Sequence, residues 1–184
     1  MDSISRNRLI LGIAAMVILI TPVAVYAASF LDIRLAHVKT TSDRVSQASF
    51  VTKASIPKDG SGGAFGYGII TGTSVVIVTT THKGVLDSEA QNDNANKPVF
   101  HNHYVKLGND ARCGSDPAVV AITFDSPGKV SVGGSSALLK NLPKSSEGLT
   151  QNNKIDGVVS FTLAPTDGAV CVKDIKPAEK LKVN

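Results

Sequence analysis

Seven consecutive β-branched residues, Val75-Val76-Ile77-Val78-Thr79-Thr80-Thr81, constrain this chain more than any other stretch. Branching at Cβ restricts χ1 in a helix and suits a pleated sheet, so the run predicts a strand. Its first four residues are apolar on both faces, which predicts a central strand covered on both sides. Phe65–Thr71 precedes it across Gly72-Thr73, a short turn in which the glycine can take a positive φ; together they read as a β-hairpin.

The rest of the chain repeats this alternation of short β-rich runs and turn signals. Phe50–Ile56 alternates before Pro57 and reads as a first strand, and Val99–Leu107 alternates in the same way. Ala118–Phe124 is a further apolar strand, followed by the turn Asp125-Ser126-Pro127-Gly128. Lys129–Val132 and Ser136–Leu142 form a hairpin around Gly133-Gly134. Gly157–Leu163 and Ala169–Ile175 are the last strands. Gln91–Pro98 and Ser145–Asp156 read as polar loops. With aromatic residues at only 5% and no Trp, Val, Ile, Thr, Ser and Gly set the character of the chain. About eight strands at close spacing predict an all-β fold, a β-sandwich or a small β-barrel. One segment departs from this pattern: between Ser29 and Lys39 the apolar residues recur at helical spacing, which predicts a short amphipathic helix.

The first residues set the compartment. Arg6 and Arg8 precede an apolar run from Leu9 to Ala28, and Val25-Tyr26-Ala27 resembles the end of a secretory leader. The alternative is an uncleaved membrane anchor over residues 9–28, since about twenty apolar residues span a bilayer. Either way the expected organisation is a leader or anchor over 1–27, a helix and linker over 28–49, and a single β-rich domain over 50–184. The expected location is extracytoplasmic, secreted or held at the outer face of the cytoplasmic membrane. Without the leader the net charge is +3, one less than the +4 of the whole chain, and it is spread out. Nucleic acid is therefore not expected as a partner; a protein or cell-surface partner is. In an oxidising compartment Cys113 and Cys171 are expected to form a disulfide.

Chemistry concentrates in one place. In a strand, His101 and His103 share a face and can converge on one metal ion. His82 follows the β-branched run and can supply a third nitrogen if the two strands are neighbours, with Asp87 and Glu89 as additional ligands or a general base. Imidazole ligands suit zinc or copper. His37 reads as a plain helix residue. Gly66-Tyr67-Gly68 lacks the third glycine and the following helix of a dinucleotide loop, so no nucleotide or flavin is expected. A blue-copper site is excluded, because the two methionines, Met1 and Met16, lie in the leader. A cupin would carry a glutamate where Leu107 or Gly108 stands. No Gly-x-Ser-x-Gly elbow is present, so catalytic residues are not assigned.

Thr81-His82-Lys83-Gly84-Val85-Leu86-Asp87-Ser88-Glu89 and Phe100-His101-Asn102-His103-Tyr104-Val105-Lys106-Leu107-Gly108 resemble stretches of exported β-rich proteins of ammonia-oxidising archaea. The resemblance covers most of residues 64–175; it implies export and carries no activity. Two functions fit the sequence. One is an exported binding module, membrane-tethered or not, that takes a partner or a divalent transition metal. The other is a metal-dependent enzyme, cupin-like or hydrolytic, built on the His-x-His pair.

Overall fold

The computed structural model describes residues 29–82, 88 and 99–184. The leader over 1–27, the anchor reading of 9–28 and the polar loop at 91–98 lie outside the described residues, as do Asp87 and Glu89. Among the described residues no helix is long and apolar enough to cross a membrane.

The described chain is all-β. Six strands close into a barrel: β3 (Phe65–Thr71), β4 (Val75–Thr81), β5 (His101–Gly108), β6 (Ala118–Ile122), β11 (Ile155–Thr166) and β12 (Ala169–Pro177), in the order β11-β12-β6-β5-β4-β3. Five more form an open sheet in the order β13-β1-β2-β8-β7: β1 (Ile33–Thr40), β2 (Val45–Thr52), β7 (Lys129–Gly133), β8 (Ser136–Lys140) and β13 (Leu181–Val183). A two-residue ladder pairs β9 (Ser145–Ser146) with β10 (Leu149–Thr150). A barrel and a packed sheet are thus both present in one molecule.

All seven residues of β4 are buried, and two hydrophobic clusters, one on each face, account for Val75, Val76, Ile77 and Val78. The outward side of the barrel wall carries Phe65, Tyr67, Ile69, Val75, Ile77 and Tyr104, which pack with Ile33, Ala36, Val38, Phe50 and Leu139 of the open sheet. Rings interlock across the layers, with Phe50 and Tyr67 stacked at 5.6 Å. Burying each such side chain contributes about 1.5–3 kcal/mol, so this layer is the main source of stability. The inward side carries Val76, Val78, Val105, Phe161 and Val172. Gly66 and Gly68 belong to this inner face. A Cβ on Gly66 would sit 2.5 Å from the Thr79 carbonyl oxygen and 2.8 Å from the Phe161 ring. Gly66 therefore makes room for that ring.

Several expectations need correction. The helix expected within 29–39, and the helix and linker over 28–49, are instead a 3-10 turn (Ser29–Leu31) followed by strands β1 and β2. The cause is a β-bulge between Ile33 and Leu35. It shifts the phase of the alternation, so the buried residues fall at Ile33, Ala36 and Val38, a spacing that imitates a helix. The expected first strand at Phe50–Ile56 begins earlier, at Val45, and ends at Thr52. In the β3–β4 turn the positive φ falls on Ser74 (63°), while the Ser74 amide donates to the Thr71 carbonyl at 3.2 Å. Gly72 is not the residue under that constraint, as in a three-residue loop that ends in a left-handed position. The loop expected at Ser145–Asp156 contains the β9–β10 ladder and the fully buried Gln151.

Cys113 and Cys171 are joined in a disulfide, with Cα atoms 5.4 Å apart. The bridge links the 3-10 turn Ala111–Cys113 to β12 and spans 58 residues, worth about 4 kcal/mol on the chain-entropy account. Arg112 adds a polar clasp there, donating to both carboxylate oxygens of Asp110 and to the Asp167 carbonyl at 2.7 Å. Asp110 is held down to about 2 by that guanidinium. This region also contains the barrel's shortest seam, where β12 pairs with β6 at Cys171↔Ala118 alone.

Candidate metal centre

The β4–β5 register brings the histidines together. These strands are antiparallel, with Val78 opposite His103 and Thr80 opposite His101. Side chains alternate, so both imidazoles join Val78 and Thr80 on the inner face. His82 lies two residues past Thr80 and falls on the same side. Ligand nitrogens of His82, His101 and His103 all lie within 4.8 Å of one another. The ring centroids of His101 stand 4.7 Å from both His82 and His103. His101 and His103 are buried, and His82 is half-buried.

The orientation of the rings carries as much information as their proximity. Nδ1 of His103 lies 2.7 Å from the Thr123 carbonyl oxygen, and Nδ1 of His101 lies 2.9 Å from that of Val99. A carbonyl only accepts, so in each ring Nδ1 carries the proton and donates it. In a neutral ring this leaves Nε2 as the nitrogen with the lone pair, the usual arrangement of a metal-ligating histidine. Nε2 of His101 and Nε2 of His82 are 3.0 Å apart. Two nitrogens bound to one tetrahedral zinc at about 2.0–2.1 Å would be separated by roughly the same distance.

The back of β5 is anchored independently. The Asn102 amide donates to Ser126 Oγ at 3.0 Å, and its side chain donates to the Pro127 carbonyl at 3.0 Å. The Tyr104 amide donates to Thr123 Oγ1 at 3.2 Å, and its hydroxyl donates to the Pro143 carbonyl. Burial pushes the Tyr104 phenol up to about 12, so it stays a protonated donor. These contacts hold the strand so that His101 and His103 keep their inward aim.

Two contributors carry no signal in the sequence. Thr123 supplies the carbonyl that orients His103. Glu147, in a tight turn with φ of 47°, accepts from the amides of Phe124 and Asp125, each at 2.7 Å. The Phe124 amide foremost, then that of Asp125, holds its carboxyl below the usual range, with His103 adding a smaller pull. A single peptide unit, Thr123–Phe124, thus connects the His103 ring on one side with the Glu147 carboxylate on the other.

His82, His101 and His103 therefore meet as the sequence suggested. Asp87 and Glu89 lie outside the described residues. His37 stands apart on β1, its Nε2 2.9 Å from the Asn184 side-chain amide. No protein-family profile, curated protein or solved structure matches this chain. The chemistry is accordingly read from geometry: three imidazoles can supply three nitrogens to one ion.

Proposed function

We propose that this is an exported β-domain that binds one divalent transition ion, zinc or copper, through Nε2 of His82, His101 and His103. The observation that carries the reading is the convergence of three imidazoles whose ligand nitrogens lie within 4.8 Å of one another, the two buried rings oriented by Nδ1 contacts to the Val99 and Thr123 carbonyls. Buried imidazoles serving only as core residues have no need to converge. The disulfide supports export, because such bonds persist in oxidising compartments. The leader-like residues 1–27 and the resemblance to exported archaeal proteins support export as well. The protein acts as a binding module, tethered through residues 9–28 where the leader is retained.

Metal binding requires every Nε2 to be deprotonated. The 3.0 Å contact between His82 and His101 needs a proton between the two nitrogens, and an ion displaces it. Calorimetry of the purified full chain with Zn²⁺ and Cu²⁺ should show one site per molecule with proton release, weakening on acidification. His101→Ala and His103→Ala should each lower affinity by at least a hundredfold, while His37→Ala should leave it unchanged. Absence of binding at micromolar metal, or wild-type affinity in His101→Ala, would refute the proposal.

A further inference from the structure

We infer that the inside of the barrel is a binding chamber for one small molecule with a hydrocarbon body, and that this binding needs no ion at the three histidines. The barrel encloses a hollow of about 510 Å³. Every barrel strand lines it with aliphatic side chains, among them Ile70 of β3, Val78 of β4, Val105 of β5, Val119 of β6, Leu163 of β11 and Val172 of β12. Six strands make a narrow barrel, and side chains normally fill such an interior. Here the bulkiest inward side chain is laid along the wall. The Phe161 ring stands 2.8 Å from where a Cβ would sit on Gly66 and 3.5 Å from that position on Gly68, so it lies against β3.

The two faces of the same wall differ in how well they are covered. Outward, Tyr67, Ile69 and Tyr104 are fully buried in the layer shared with the open sheet. Inward, Ile70, Leu107, Val119, Val159 and Leu163 are only half-buried. Apolar surface left uncovered in the hollow is the surface whose burial favours binding. The lining also sets the class of occupant. Burying a charge or an unpaired amide against aliphatic walls is costly, so the enclosed part of the ligand is uncharged hydrocarbon. A peptide is disfavoured for the same reason, because the ladders β11–β3, β3–β4 and β4–β5 already pair the backbone groups of those strands. Volume sets the size. An apolar cavity of ~150 Å³ admits benzene, so a space a little over three times larger takes roughly ten to twenty non-hydrogen atoms.

The test uses the purified full chain with excess EDTA, which separates its outcome from that of the zinc titrations. N-phenyl-1-naphthylamine, an uncharged probe that fluoresces in apolar surroundings, should bind saturably, one per chain, and be displaced by 1-decanol. From 1-hexanol to 1-decanol the affinity should rise about fourfold per methylene, the equivalent of ~0.8 kcal/mol. Intermolecular NMR contacts on the unaltered chain should run from decanol methylenes to the methyl groups of Val78, Val105 and Val172. Val159→Phe, which reduces the hollow, should weaken the probe about tenfold or more. Leu181→Ser, at an exposed position on β13 of the open sheet, should bind as wild type. Absence of saturable binding would overturn the chamber. So would decanol contacts confined to residues 1–28 or to exposed residues such as Val120, or wild-type affinity in a folded Val159→Phe protein. The NMR contacts locate the ligand whether or not that variant folds.

Discussion

Replacing Gln151 by leucine tests how the strand that carries the histidines is coupled to the open sheet. Gln151 is fully buried, and its amide acts like a short piece of strand. Oε1 accepts from the Val45 amide at 2.8 Å, and Nε2 donates to the Val45 carbonyl at 2.9 Å. Nε2 also reaches the Pro143 carbonyl at 2.9 Å and the Tyr104 hydroxyl at 3.2 Å. Leucine fills similar space and offers none of these contacts. The Val45 amide and carbonyl then lose a buried partner, at about 1–3 kcal/mol for each group. The middle of that range gives a loss of about 4 kcal/mol, a large part of the 5–15 kcal/mol typical of a domain. With a urea slope of about 2 kcal/mol per molar, the unfolding midpoint should fall by about 2 M. Tyrosine fluorescence can follow the transition, since the chain has three Tyr and no Trp. Asn152→Ala, whose side chain makes one exposed contact to the Lys154 amide, serves as the control and should shift the midpoint little. A shift below about 0.5 M in Gln151→Leu would show that the Val45 groups find other partners and that this accounting is wrong.

Further outcomes follow from the same geometry. Glu147→Gln should weaken zinc binding about tenfold, the lower end for an outer-shell partner, because it acts on His103 only through the Thr123–Phe124 peptide. Calorimetry that finds unchanged affinity would remove Glu147 from the site. Non-reducing peptide mapping should recover Cys113 linked to Cys171, and Cys113→Ser with Cys171→Ser should lower unfolding stability by about 4 kcal/mol in denaturant titrations. Carboxyl-detected NMR should place Asp110 near pH 2, returning toward 3.8 in Arg112→Ala. Because the folded value is depressed, its stabilising contribution is complete above the unfolded value and is lost as pH falls toward 2.

The strands were legible where side-chain branching and alternation spoke together. Val75–Thr81 is central and buried as its composition requires; the β11–β12 hairpin turns at Asp167-Gly168, and the β7–β8 hairpin turns at Gly134-Ser135, one residue past the expected Gly133-Gly134. The His101, His103 and His82 grouping was legible because strand period and adjacency suffice to define it. What escaped were features set by irregularity or distance. The bulge at Ile33/Leu35 broke the alternation of β1 and gave it a helical appearance. Pairing of β13 with β1, parallel and from opposite ends of the described chain, has no local signature. Gln151 lies in a polar stretch, and only the folded partners Val45, Tyr104 and Pro143 explain why it is buried. Thr123 and Glu147 reach His103 through a backbone unit, and backbone contacts leave no mark on residue type.

The barrel also divides its labour along the chain. The three imidazoles come from the end of β4 and the start of β5, oriented by carbonyls at Val99 and Thr123. The opposite wall of the hollow comes from β11 and β12, which begin only at Ile155. Substitutions at Val159, Leu163 or Val172 therefore act on the wall of the hollow that β11 and β12 supply, not on the strands that carry the imidazoles. The wall that sets the size of the hollow and the strands that carry the imidazoles can thus vary separately.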